Sequence, residues 1–205
     1  MKITQNQNKA VDDIVEMIVS EIGNGSRELD TIDAISSTAR LAGSFMFRSF
    51  QFEINDVKPG TVMLSEEANI KGPQLVDLTF LVLQKLGVHI DNNKMSNGNQ
   101  EQPKSNFLDA IGKIQDPALE IMKKNDLSYE QMAQSAAIAT AFIIQQSKNI
   151  TPEEGFSTAI YYYIDGTKTS PPEFSDEAKR ATDTKTQIKE NNNSKNINKA
   201  WWKFW

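Results

Sequence analysis

Along most of this chain the apolar residues return every three or four positions, and that period limits what it can fold into more than any other feature. Val11, Ile14, Val15, Ile18, Val19 and Ile22 form one such stripe, with Asp12, Asp13 and Glu16 outside it. Gly23-Asn24-Gly25 follows, and residues that accept the left-handed cap conformation predict the helix end there. Leu29, Ile32, Ile35, Ala39, Ala42 and Met46 form a second stripe, with Asp30 or Thr31 as N-cap, which predicts a helix to about Phe47. Gly72-Pro73 marks the start of a third, faced by Leu75, Leu78, Thr79, Val82 and Leu86 and ended by Gly87.

The second half of the chain carries the sharper boundaries. Phe107, Leu108, Ile111 and Ile114, then Leu119, Ile121 and Met122, predict a helix interrupted or kinked near Asp116-Pro117. Ser128-x-x-Gln131 is a capping box, and the helix behind it is rich in alanine: Ala133, Ala136, Ala137, Ala139 and Ala141. Small residues permit close approach, so this is the expected central helix. Thr151-Pro152-Glu153-Glu154 combines an N-cap threonine, proline at the first position and glutamates at the positive end of the helix dipole. That helix is expected to run through Phe156, Ile160, Tyr163 and Ile164 to about Asp165-Gly166, before Pro171-Pro172.

Two stretches break the period. Phe50-Gln51-Phe52-Glu53-Ile54 alternates apolar and polar residues, the two-residue period of a strand, although a helix with bulky residues all round competes with it. With turn residues at Asn55-Asp56 and Pro59-Gly60 and a second short run at 61–64, a minor β-hairpin near 48–64 is expected. Residues 91–106 are polar and read as a surface loop. The expected fold is therefore all-α: one bundle of about six helices over 1–174, then a basic, largely disordered tail over 175–205, with a short exposed helix across 176–190 and an asparagine-rich linker after it.

Composition narrows the chemistry. With no cysteine, a disulfide framework, a thiolate metal site and a cysteine nucleophile are all excluded. The first nine residues lack the apolar run of a secretory signal, and no stretch approaches the ~20 apolar residues of a membrane span, which predicts a cytoplasmic protein. Abundant Asn, Lys and Ile suit an AT-rich bacterial genome. The net charge of −5 is divided unevenly: residues 179–205 hold seven basic side chains against Asp183 and Glu190, which leaves −10 on 1–178. An acidic body repels nucleic-acid phosphate, so nucleic acid is not an expected partner, whereas a basic protein is.

Catalytic signals are scarce. His89 is the only histidine and sits between Val88 and Ile90, so neither a histidine triad with a spare candidate nor a multi-histidine metal site can be drawn. Asp12-Asp13, Glu66-Glu67 and Glu153-Glu154 are sequence neighbours that diverge by about 100° on a helix and do not converge on one ligand. Gly166-Thr167-Lys168-Thr169 only superficially resembles the end of a phosphate loop, because lysine does not follow glycine. No cofactor is expected. Arg40 and Arg48 lie in or beside the most apolar stretch and are expected to form internal ion pairs at the core edge; an enzyme or ligand-binding bundle would instead use them with His89. Of Tyr161-Tyr162-Tyr163, at least one ring is expected on a boundary or exposed face.

Trp201, Trp202, Phe204 and Trp205 stand around Lys203 after a polar linker and are the expected docking residues. Such a cluster cannot bury itself unaided, and three surfaces suit it: a groove on its own body, a partner protein, or a membrane interface. The functional expectation is a non-enzymatic protein that binds another macromolecule, of the inhibitor, immunity-factor, adaptor or chaperone kind.

Overall fold

The computed structural model describes residues 3–23, 29–50, 52, 57–95 and 102–179. Six α-helices lie wholly among them: α1 (Gln5–Ile22), α2 (Thr31–Ser49), α3 (Glu66–Lys85), α4 (Phe107–Lys124), α5 (Tyr129–Gln146) and α6 (Pro152–Lys168), with one 3₁₀ turn at Asn92–Lys94; residues 176–179 are helical as well, at the start of the short helix expected across 176–190. Every α-helix starts on a side-chain oxygen that accepts from its first turn, supplied in order by Thr4, Asp30, Ser65, Asn106, Ser128 and Thr151. Reciprocal capping boxes close at Thr4–Gln7, Ser128–Gln131 and Thr151–Glu154. The all-α bundle is thus the observed architecture, and none of the described helices is long and apolar enough to cross a membrane.

The centre of the bundle is α2, not the alanine-rich α5. Every residue of α2 from Thr31 to Phe47 is buried, and the helix packs on all five others. Its sequence hides this because Ser36, Ser37, Thr38 and Ser44 break the apolar stripe. Two of these hydroxyls donate back to their own helix, Ser36 to the Asp33 carbonyl (3.2 Å) and Thr38 to the Ala34 carbonyl (2.7 Å). A hydroxyl satisfied in this way enters a core without an outside partner. α5 lies alongside, buried along most of its length from Met132 to Ile144.

α2 and α6 cross with backbone against backbone. A Cβ placed on Gly166 would stand 2.5 Å from the Arg40 carbonyl oxygen and 3.0 Å from the Gly43 Cα, and one on Gly43 would stand 2.6 Å from the Thr167 amide nitrogen. Gly166 is therefore a contact point inside the helix and not its stop signal, which is why α6 continues to Lys168 past the expected end. α3 likewise begins earlier than Gly72-Pro73, at the Ser65 cap, because Ala68 and Gly72 already face the core. Its internal Pro73, like Pro117 in the uninterrupted α4, withdraws an N–H four residues from an exposed position, Asn69 and Lys113 respectively. Water can replace the missing donor on that wet side, so neither helix breaks.

Other boundaries differ from expectation. Gly23 caps α1 with extended backbone (φ −74°), not left-handed backbone. No hairpin forms near 48–64 among the described residues: Arg48 and Ser49 complete α2, and the run at 61–63 pairs with the chain leaving α6, through a Val62–Thr169 antiparallel bridge and a Met63 N–H to the Lys168 carbonyl (2.7 Å). Gln51 and residues 53–56 lie outside the described residues. Phe47, Phe50 and Phe52 stack edge to face or tilted, with centroids 5.4–6.3 Å apart. The body runs beyond residue 174, since Phe174 and Ala178 are both in the core.

Candidate functional site

Arg40 is built into the interior of the bundle. Its Nε donates to Asp165 Oδ2 (2.8 Å), its NH1 to the Ser105 carbonyl (2.8 Å), and its guanidinium carbon lies 4.3 Å from the centre of the Tyr162 ring. One guanidinium therefore joins α2, α6 and the segment entering α4. The same segment is tied twice more, by the Lys104 N–H donating to Asp33 Oδ1 (2.7 Å) and by the Lys104–Asp30 ion pair (2.7 Å). The Lys104 bond, first, and the Ile32 and Asp33 amides hold the Asp30 carboxyl below its ordinary range. What read as one polar loop over 91–106 is thus fastened at both described ends, because Glu153 also accepts the Asp91 N–H (3.0 Å). Residues 96–101 lie outside the described residues.

Arg48 performs a similar task without a contacting carboxylate. Its NH2 donates to Gln115 Oε1 (3.0 Å) and the Pro172 carbonyl (2.6 Å), and the guanidinium carbon lies 3.9 Å from the centre of the Phe174 ring. Gln115 completes the clamp by donating to the Glu173 carbonyl (3.1 Å). Burial pushes the guanidinium below its ordinary value, with Tyr129, Glu173 and Asp116 acting the other way, and Nε is buried without a hydrogen-bond partner. So the expected internal ion pair holds for Arg40, whereas Arg48 binds carbonyls. The two arginines secure two separate segments, and His89 is exposed beyond the end of α3.

The remaining polar candidates are also accounted for locally. Asp13 pairs with Lys124 (2.9 Å) and accepts from Asn125 (3.2 Å), while partial burial and then the neighbouring Asp13 and Glu16 raise the Asp12 carboxyl. Glu66 and Glu67 occupy the first turn of α3, and Glu154 closes the Thr151 box. Tyr163 is fully buried, its hydroxyl sharing a 2.6 Å hydrogen bond with Thr79; desolvation raises its phenol. Among the described residues no group of three or more His, Asp or Glu side chains is placed to hold a metal ion.

What remains open to solvent is apolar. Leu64 (82% exposed), Val62 (65%), Tyr161 (61%), Ile164 (45%) and Leu108 (40%) are five of the eight large apolar side chains exposed among the described residues. They gather around the end of α6. Tyr161, Ile164 and Lys168 share its outer face at three- and four-residue spacing, and the 60–63 strip pairs along Lys168 to Ser170. Leu108 lies against Gly60, 3.3 Å from where a Cβ would stand, and Arg40 links Asp165 to Ser105 just ahead of it. Close to these residues in sequence stand the carboxylates of Glu66, Glu67 and Asp109 and the cations of Lys58 and Lys168.

Sequence reasoning missed the rim because Ile164 fits the buried period and Val62 and Leu64 read as a strand. The available signal was the tyrosine run, of which Tyr161 is the exposed member while Tyr162 and Tyr163 are buried. Trp201, Trp202, Phe204 and Trp205 lie outside the described residues. Comparison with protein-family models, with curated proteins and with solved structures finds no match to this chain.

Proposed function

We propose that this protein works by binding another protein, and that the rim of Val62, Leu64, Leu108, Tyr161 and Ile164 is the binding surface. The observation that carries the reading is the contrast in side-chain use. The arginines that could have gripped a small ligand hold the chain to itself, while large apolar side chains are left in water. A clustered apolar patch rimmed by charge is a common form of protein interaction site. The excess acid on residues 1–178 favours a basic partner and faster encounter with it, and disfavours nucleic acid. The role proposed is that of a non-enzymatic, cytoplasmic protein of the inhibitor, immunity-factor, adaptor or chaperone kind.

Affinity capture with the wild-type chain, the Tyr161→Gln/Ile164→Gln variant and a Leu81→Gln control on the outer face of α3 tests it. A protein retained by wild type and control but released by the rim variant is the expected result. Equal retention by all three, or no macromolecule retained at low or moderate salt, overturns the reading.

A further inference from the structure

We propose that Trp201-Trp202-Lys203-Phe204-Trp205 docks on the rim of its own chain, covering Val62, Leu64, Leu108, Tyr161 and Ile164. The inference rests on that rim being a binding surface, and it names the first occupant.

Three considerations lead there. Four large aromatic side chains within five residues present about 150–250 Å² each and cannot shield one another, so they gain by finding an apolar surface. The rim is where such surface is concentrated: Val19 stands on α1, and Ile70 and Leu81 are 11 residues, or roughly 16 Å, apart along α3. Charge then favours an intramolecular partner, because residues 179–205 carry a net +5 and residues 1–178 carry −10.

Length permits the contact. Lys179 is the last described residue, and the 22 residues from there to Trp201 span at most about 75 Å when extended. A body of this size has a radius of gyration near ~16 Å, so any point on its surface is within reach. Tethering also makes the encounter intramolecular, at an effective concentration no dilution of the sample lowers. A partner that binds the rim then competes with the aromatic segment, so docking lowers the partner's apparent affinity without closing the surface to it.

Trp201, Trp202 and Trp205 are the only tryptophans of the chain, so its intrinsic tryptophan fluorescence reports on this segment alone. In the full chain the emission is expected to be blue-shifted and protected from acrylamide, unchanged on dilution. Leu64→Gln, in a non-helical strip that tolerates it, and Tyr161→Gln/Ile164→Gln should each shift the emission to the red and remove the protection, with helix content by circular dichroism retained; Leu81→Gln should not. Solvent-like emission in wild type overturns the proposal. So does a blue shift that vanishes on dilution, which would mean a second copy, one that only vesicles produce, which would mean a membrane, or one insensitive to both rim variants. Because the assay contains no partner, docking without a captured protein would count against the proposed function alone, and a captured protein without docking against this inference alone.

Discussion

The two faces of α6 handle large side chains in opposite ways. On the inner face the helix meets α2 so closely that Gly166 touches the Arg40 and Gly43 backbone, and Tyr163 is enclosed with its hydroxyl bonded to Thr79. On the outer face, within a turn and a half of these residues, Tyr161 and Ile164 stand in water. One helix thus carries positions where a single methyl group is too much and positions where a ring is more than half exposed. The bundle depends on the first set, and the second set is the surface proposed for binding.

The sharpest way to break this contrast is to fill the crossing. Gly166→Ala pushes a methyl into backbone that cannot rotate aside, and a loss of about 3 kcal/mol is expected in urea unfolding, at the upper end for overpacking. Gly43→Ala should act in the same direction. Next comes the ion pair just behind the outer face: Asp165→Ala leaves buried Arg40 with only the Ser105 carbonyl and the Tyr162 ring, and is expected to cost about 2 kcal/mol. Proteolysis between 96 and 106 should quicken in that variant, since Arg40 would no longer be oriented to hold Ser105.

Smaller again is the start of the helix. Thr151→Ala removes the N-cap and should cost about 1 kcal/mol. The same change alters the pH response. The Thr151 amide and hydroxyl hold the Glu154 carboxyl below its ordinary value, so its contribution is present above the usual glutamate pKa of about 4.3 and lost as pH falls through the lower folded value. Alanine keeps the amide, the larger of the two causes, and removes only the hydroxyl, so unfolding midpoints followed downward through that range should fall slightly less steeply in Thr151→Ala than in wild type.

How legible these features were in the sequence depended on their range. Caps at Ser128 and Thr151 are local devices legible in the residues, the choice between Asp30 and Thr31 is settled for Asp30 only by the structure, and the Thr4-x-x-Gln7 box that starts α1 was equally available. Burial of α2 was not, because whether Ser36 and Ser44 face water or a neighbouring helix is decided by residues far away in the chain. Gly166 illustrates the same limit: glycine after a helical run signals an end locally, and only the approach of Gly43 turns it into a crossing point. Pro73 and Pro117 misled for the converse reason, since a proline on a wet face costs a helix little. At the candidate site, Arg40 and Arg48 were identified from their apolar setting, but their partners Asp165, Ser105 and Pro172 come from distant segments that no spacing rule connects.

The most direct test of the account compares two neighbouring positions in α6 under identical urea unfolding, Ile164→Gln on the outer face and Gly166→Ala on the inner one. Half-exposed Ile164 gives up part of its packing, while glutamine gains in helix propensity, so the outer variant should lose about 1 kcal/mol or less. Gly166→Ala should lose about three times as much. An equal or larger loss at Ile164 would mean that the outer face also serves the fold, and would contradict the claim that it is held in reserve for binding.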